Sequence, residues 1–189
     1  MSVYPFTHLP SHTTLLSVPQ TSHEKFIKEC YKLARRSVKR GKHPFSAILL
    51  VNNEVFATAD NTFTTNLDCT AHAEMNLIRK VQHQISSEDL AQCILYSSTE
   101  PCAMCAGAIY WAGIRNVVFG CSAAALKKLA GQPLDIPCRD IFRTAHDKVS
   151  VVGPVLEEEG LKIHQAFWKR PIHIESKIKN AAVLVANEN

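Results

Sequence analysis

The chain has 189 residues, 46% of them hydrophobic and 20% charged, with a formal net charge of +4. That length suits one domain with a full core, and the composition is that of a soluble globular protein. The longest apolar runs, such as FSAILLV, are far too short to span a bilayer, and the first twenty residues contain neither Lys nor Arg and no apolar signal-peptide stretch, so a cytoplasmic protein without a membrane anchor is expected.

Residues 1–20 are rich in Pro, Ser and Thr and lack periodicity, which reads as an extended N-terminal arm. Thr21 to Glu24, TSHE, fits a capping box, so the first helix is expected to start there and stop near Gly41. Residues 21–42 hold eight basic and two acidic side chains, a local charge of +6. At helical spacing Phe26, Cys30, Leu33, Ala34 and Val38 share one face, while Lys25, Lys28, Lys32, Arg35 and Lys39 lie largely on the other. This basic face admits two readings, a solvated exterior or a nucleic-acid contact.

FSAILLV and EVFATAD flank Asn52-Asn53, a good two-residue turn for a β-hairpin. NTFTTNLDC then reads as a loop leading to Thr70, the expected N-cap of a helix AHAEMNLIRKVQHQ. CILYSST is a buried strand, followed by Pro101 at the first position of a helix reaching Gly113. NVVFG and VSVVG are further strands, with SAAALKKLA helical and a short helix between them. LEEEGLKIHQAFWKR is the last helix, and residues 171–189 form a peripheral tail. One domain over 21–170 is therefore expected, an α/β fold with a mixed sheet covered on both faces.

Of the seven cysteines, Cys30, Cys69, Cys93, Cys121 and Cys138 stand singly. Only Cys102 and Cys105 form a close pair, which in a cytosolic chain suggests metal or redox chemistry rather than a disulfide framework. They fall three apart in the first turn of one predicted helix, and His72 and Glu74 fall in the first turn of another. The partial positive charge at a helix N-terminus stabilises thiolate over thiol. One imidazole and two thiolates are three ligands of a tetrahedral Zn²⁺ site, and the fourth position is left for water, whose pKa the metal lowers toward ~7. Glu74, two residues from His72, can stand beside that metal without binding it, which suits it to carry protons to a substrate nitrogen. A thioredoxin-like pair fits poorly, because the expected βαβ start is replaced by a long insertion, and a zinc ribbon lacks its second close pair.

His-x-Glu and Pro-Cys-x-x-Cys together form the signature of zinc-dependent deaminases of bases and nucleosides. Over roughly residues 22–168 the chain resembles the cytidine and deoxycytidylate deaminase superfamily. PFSAILL, DNTFTTNLDCTAHAE and EPCAMCAGAIYWAG are most similar to the small guanine and nucleoside deaminases, with the tRNA-editing adenosine deaminases as near relatives. The resemblance implies a three-layer α/β/α sandwich with a five-stranded mixed sheet, one Zn²⁺ per chain held by His72, Cys102 and Cys105, catalysis by Glu74, and a homodimer. It also implies base contacts from Asn61, from the pocket-lining Phe45 and from the backbone of Ala73; an ordinary surface Asn and a core Phe are the competing readings. Asp135 stands loosely where guanine deaminases carry an acidic motif, against simple solvent exposure. Phe167 or Trp168 would close the pocket, against helix packing, and Tyr110 and Trp111 read as core or dimer contacts. A small nucleobase or nucleoside substrate, guanine or guanosine first, is thus expected. Cys121, Ser122 and Ala123 stand where the tRNA-editing relatives carry Ala-Arg-Asp, which weakens the alternative of adenosine editing in tRNA.

Overall fold

The computed structural model describes residues 20–131 and 136–169. Residues 1–19 of the expected arm, the tail from residue 171 and Asp135 lie outside the described residues. Five strands, β1 (Ser46–Val51), β2 (Glu54–Asp60), β3 (Ile94–Thr99), β4 (Asn116–Cys121) and β5 (Ser150–Val152), form one sheet in the order β2-β1-β3-β4-β5. β1 runs antiparallel to β2 and β3, and β3, β4 and β5 are parallel, so the sheet is mixed as expected. The β1–β2 hairpin turns on Asn52 and Asn53, both at positive φ (52° and 64°), the left-handed conformation that Asn adopts at low cost.

Alternation along the strands divides the core. Leu49 and Ala47 of β1, Leu95 of β3 and Val117 and Phe119 of β4 face α3 (Ala73–Val81) and α5 (Ala103–Trp111), burying Leu77, Val81 and Ile109. Ile48, Leu50, Ile94, Tyr96 and Val118 face α1 (Gln20–Lys39) and α8 (Glu157–Trp168), burying Phe26, Ile27, Cys30, Tyr31 and Ile163. The three layers follow from that two-residue period. On α1 the five cations Lys25, Lys28, Lys32, Arg35 and Lys39 are all exposed. No helix among the described residues is long and apolar enough to cross a membrane.

Several boundaries differ from expectation. α1 already includes Gln20, so Thr21 lies inside the first turn rather than at the cap. The loop after β2 contains a short helix, α2 (Phe63–Asn66), which ends on Leu67 in the left-handed conformation. Thr70 does not cap α3: its hydroxyl donates to Asp68 Oδ1 at 2.7 Å and accepts from Arg79, and the N-cap is His72. α3 stops at Val81, short of the expected Gln84. A further short helix, α4 (Ser87–Leu90), is capped by Ser86. Pro101 precedes the N-cap of α5, which is Cys102, and α5 stops before Gly113, whose φ of 92° suits glycine and whose added Cβ would meet Ser87 O at 2.7 Å. Trp111 is 84% exposed, so it is not a core residue. Beyond β4 come α6 (Ala123–Ala130) and α7 (Cys138–Arg143), the latter being the short helix expected before β5.

Candidate active site

α3 and α5 start side by side at one edge of the sheet. His72 and Cys102 occupy their N-cap positions with extended backbones, and neither side chain makes a capping hydrogen bond. N-cap side chains ordinarily accept from the first turn of their own helix. Here they turn toward each other instead: His72 Nδ1 lies 3.6 Å from Cys102 Sγ and 3.5 Å from Cys105 Sγ. All three ligand atoms lie within 4.8 Å of one another. Tetrahedral zinc with ordinary Zn–N and Zn–S bonds separates its nitrogen and sulfur ligands by about 3.6 Å, so this donor set fits the ion in both chemistry and spacing.

Hydrogen bonds from Cys105 and His72 pull the Cys102 thiol down to about 4. The Cys105 thiol is held far above its usual value by its bond to Cys102 and by burial, so Cys102 is the sulfur that loses its proton more readily. The bond to Cys102 raises the His72 imidazole. A dication among the three favours loss of the remaining thiol proton, since thiolates are the ligating species. Glu74, in the first turn of α3, is 6% exposed. Its Oε1 accepts from Ser97 Oγ at 2.6 Å, and Cys105 Sγ donates to its Oε2 at 3.4 Å. Burial pushes its carboxyl above the ordinary glutamate value, while Ser97 opposes that shift. A carboxyl so placed can exchange a proton near neutral pH more readily than an exposed one.

These groups open on a cavity of about 210 Å³. His72, Glu74 and Cys102 line it, together with Asn61, Phe45 and Trp168, three of the residues expected to meet a base. Asn61 is 3% exposed, and its Oδ1 accepts from Phe63 N–H at 3.0 Å, so among the described residues its amide N–H groups are left for a ligand. Ala73 is fully buried with its side chain in the core, so only its backbone stands between His72 and Glu74. Phe167 is buried behind Trp168, the two rings meeting edge to face at 4.8 Å.

Sequence reasoning missed further lining residues, among them His43, Phe63, Glu100, Leu126 and Ile136. His43 stacks on Phe63 with centroids 5.6 Å apart. Glu100 is tied by both oxygens, accepting from Ala123 N–H and Cys138 N–H at 3.0 Å each. Glu100 had a signal in its place directly before Pro101-Cys102; His43, two residues before Phe45, had only its proximity.

Residues 20–121, more than half of the chain, match the model of the cytidine and deoxycytidylate deaminase zinc-binding region. The chain belongs to this deaminase family. It is accordingly a zinc-dependent hydrolytic deaminase acting on carbon–nitrogen bonds. Among deaminase relatives, the "Probable cytosine deaminase" of Schizosaccharomyces pombe is 37% identical over 148 residues, 76% of this chain and 90% of that protein. The guanine deaminase of Bacillus subtilis is 42% identical over 99 residues, 52% of this chain and 64% of that protein. The tRNA-specific adenosine deaminase of the same organism is 33% identical over 156 residues, 79% of this chain and 90% of that protein. The deaminase fold is shared with the solved guanine deaminase from Nitrosomonas europaea, which is 19% identical with a TM-score of 0.67, covering 88% of this chain and 97% of that one.

Proposed function

We propose that this deaminase converts the amino group of a free purine-type base or nucleoside to a carbonyl, releasing ammonia, with guanine as the first candidate and guanosine next. His72, Cys102 and Cys105 would hold the zinc, which when bound supplies Lewis acidity and a water of lowered pKa. Glu74 takes one proton from the attacking water and delivers it to the ring nitrogen, then takes the second from the hydroxyl of the adduct and passes it to the departing amine, so that ammonia leaves as the carbonyl forms. Ser97 holds that carboxyl in line. Asn61 donates to an acceptor on the base edge, while Phe45 and Trp168 provide apolar walls for a flat ring.

The observation that carries this reading is the junction of Glu74 and the His/Cys/Cys group in one cavity of about 210 Å³. Sites for drug-sized ligands run to ~300–1,000 Å³. A cavity below that range favours a single heterocycle, and the similarity to a guanine deaminase favours guanine. The exposed Trp111 supports docking of a second copy as a homodimer, and the seven free cysteines suit a reducing cytoplasm.

The basic face of α1 and the likeness to a tRNA-specific deaminase support a second reading, editing of adenosine in tRNA. Ammonia release from the zinc-loaded protein on guanine, guanosine, adenine, adenosine, cytosine, cytidine and a tRNA transcript separates the two. Turnover of guanine or guanosine with none on the transcript supports the first; activity confined to the transcript replaces it by the second; cytosine alone would retain the mechanism and change the substrate. Glu74→Gln should keep stoichiometric zinc and lose turnover by at least ~100-fold, and full activity in that variant would remove Glu74 from its role.

A further inference from the structure

The chain between β2 and α3 leaves the sheet next to Asn61 and returns at His72, so each end of one excursion carries a residue of the proposed site. Its neck is closed by a backbone bond from Thr62 N–H to Ala71 O at 2.9 Å. Asn76, one turn into α3 and half-buried, reinforces that neck from the side. Its Nδ2 donates to Asp60 O at 2.9 Å, to Thr62 Oγ1 at 2.9 Å and to Ala71 O at 3.3 Å. Its Oδ1 accepts from Arg79 Nη1 at 3.1 Å, and Arg79 Nη2 reaches Thr70 Oγ1 at 2.7 Å. With a guanidinium on the carbonyl side, the amide can only present its N–H groups to the three oxygens.

We propose that Asn76 is a positioning residue which sets the separation and facing of Asn61 and His72 across the cavity. The proposal rests on the reading above, in which Asn61 meets the base and His72 holds the metal. Asp60 and Thr62 are the chain neighbours of Asn61, and Ala71 is the neighbour of His72. One side-chain amide therefore grips the backbone or side chain on both flanks of Asn61 and the residue before His72. The packing of α3 does not depend on it, because Leu77, Ile78 and Val81 anchor that helix in the core. Losing the amide should therefore loosen the neck while leaving the helix docked. A misplacement of about 1 Å at reacting groups costs on the order of 100-fold in rate, and loss of a group that orients a metal ligand costs about 10–100-fold in metal affinity.

The test compares Asn76→Ala, Asn76→Asp (same shape, no donor) and the milder Thr62→Val with Asn61→Ala and His72→Ala. Zinc affinity is read by chelator competition on the protein alone, and kcat and KM on the base that the parent enzyme deaminates fastest. Both Asn76 variants should bind zinc about 10–100-fold more weakly. At saturating zinc they should lose about 100-fold in kcat/KM. Thr62→Val should move both readouts in the same direction by less. Adding Asn61→Ala to Asn76→Ala should cost less than Asn61→Ala does alone, since both act through one contact. Parent-like zinc affinity and kcat/KM in all three neck variants would overturn the proposal, as would full additivity with Asn61→Ala at unchanged zinc affinity. If Asn61→Ala and His72→Ala are disabled while the neck variants work normally, the proposal alone fails. An active Asn61→Ala, or a His72→Ala that keeps zinc, removes the site reading and the proposal with it.

Discussion

His164 offers a pH test of how the wall behind the cavity is built. It sits on α8 at 2% exposure, with Nε2 2.9 Å from the hydroxyl of Thr99, a cavity residue, and its ring centroid 5.2 Å from that of Phe45. Its Nδ1 is buried and has no hydrogen-bond partner among the described residues. Burial pulls the imidazole from 6.5 down to about 4. Between those values the unfolded chain binds a proton that the folded chain refuses, so stability is complete above about pH 6.5 and falls as pH drops toward 4. At pH 5 the unfolded imidazole is nearly fully protonated while the folded one is mostly neutral. At 1.36 kcal/mol per pH unit the loss relative to pH 7 is about 2 kcal/mol. For a chain of this size that corresponds to about 4–8 °C in Tm. His164→Gln keeps a polar group for Thr99 and cannot titrate. Thermal unfolding of both zinc-loaded proteins at pH 7 and pH 5 should show the parent losing that much more than the variant. Acid effects on the zinc thiolates act on both and cancel in the difference. A parent-minus-variant difference that is the same at both pH values would refute the argument that His164 is held neutral by burial.

Two further outcomes follow from single contacts. Ser97→Ala removes the donor at 2.6 Å that favours the Glu74 carboxylate. A hydrogen bond to a charged group contributes roughly 1.5–3 kcal/mol, so kcat/KM at neutral pH should fall about 10–100-fold. The acid limb of the pH profile should move to higher pH, because the carboxylate is then harder to form; an unmoved limb would mean Ser97 does not tune Glu74. In the β1–β2 turn, Asn53→Val forces a branched side chain to a φ of 64°, at a cost of about 1–2 kcal/mol seen in denaturant unfolding, whereas Asn53→Gly should cost nothing. Neither change should alter kcat/KM, since the turn lies at the far end of β1 from Phe45.

What the sequence disclosed, and what it hid, follow from the range over which each feature is determined. The hairpin was legible because Asn52 and Asn53 are a local demand for positive φ. The strands were legible because burial imposes a two-residue period, as in Leu49 and Leu50 facing different cores. The short helices α2 and α4 went unseen because one turn has no periodicity to recognise. Ser97 could not be assigned to Glu74 in advance, because it lies 23 residues away and meets it through the register that sets Ser97 against Ala47. The same holds for His43 and Glu100, which reach the cavity through tertiary packing.

The misplaced caps are the most informative departure. Local rules assign the N-cap to Thr70 because its hydroxyl can accept from its own helix, and they put Pro101 at the first helical position. The chain instead starts α3 and α5 on His72 and Cys102, whose side chains leave the helix ends and meet across a gap of 3.6 Å. Each helix thereby forgoes a capping interaction of about 1 kcal/mol. In exchange, two positive helix ends face the same point and favour negative charge there. The pulled-down Cys102 thiol and the buried Glu74 carboxyl both lie at that point. A rule that expects each helix to satisfy its own first turn will therefore fail where two helices together present a donor set that fits a cation, and that failure marks the candidate site.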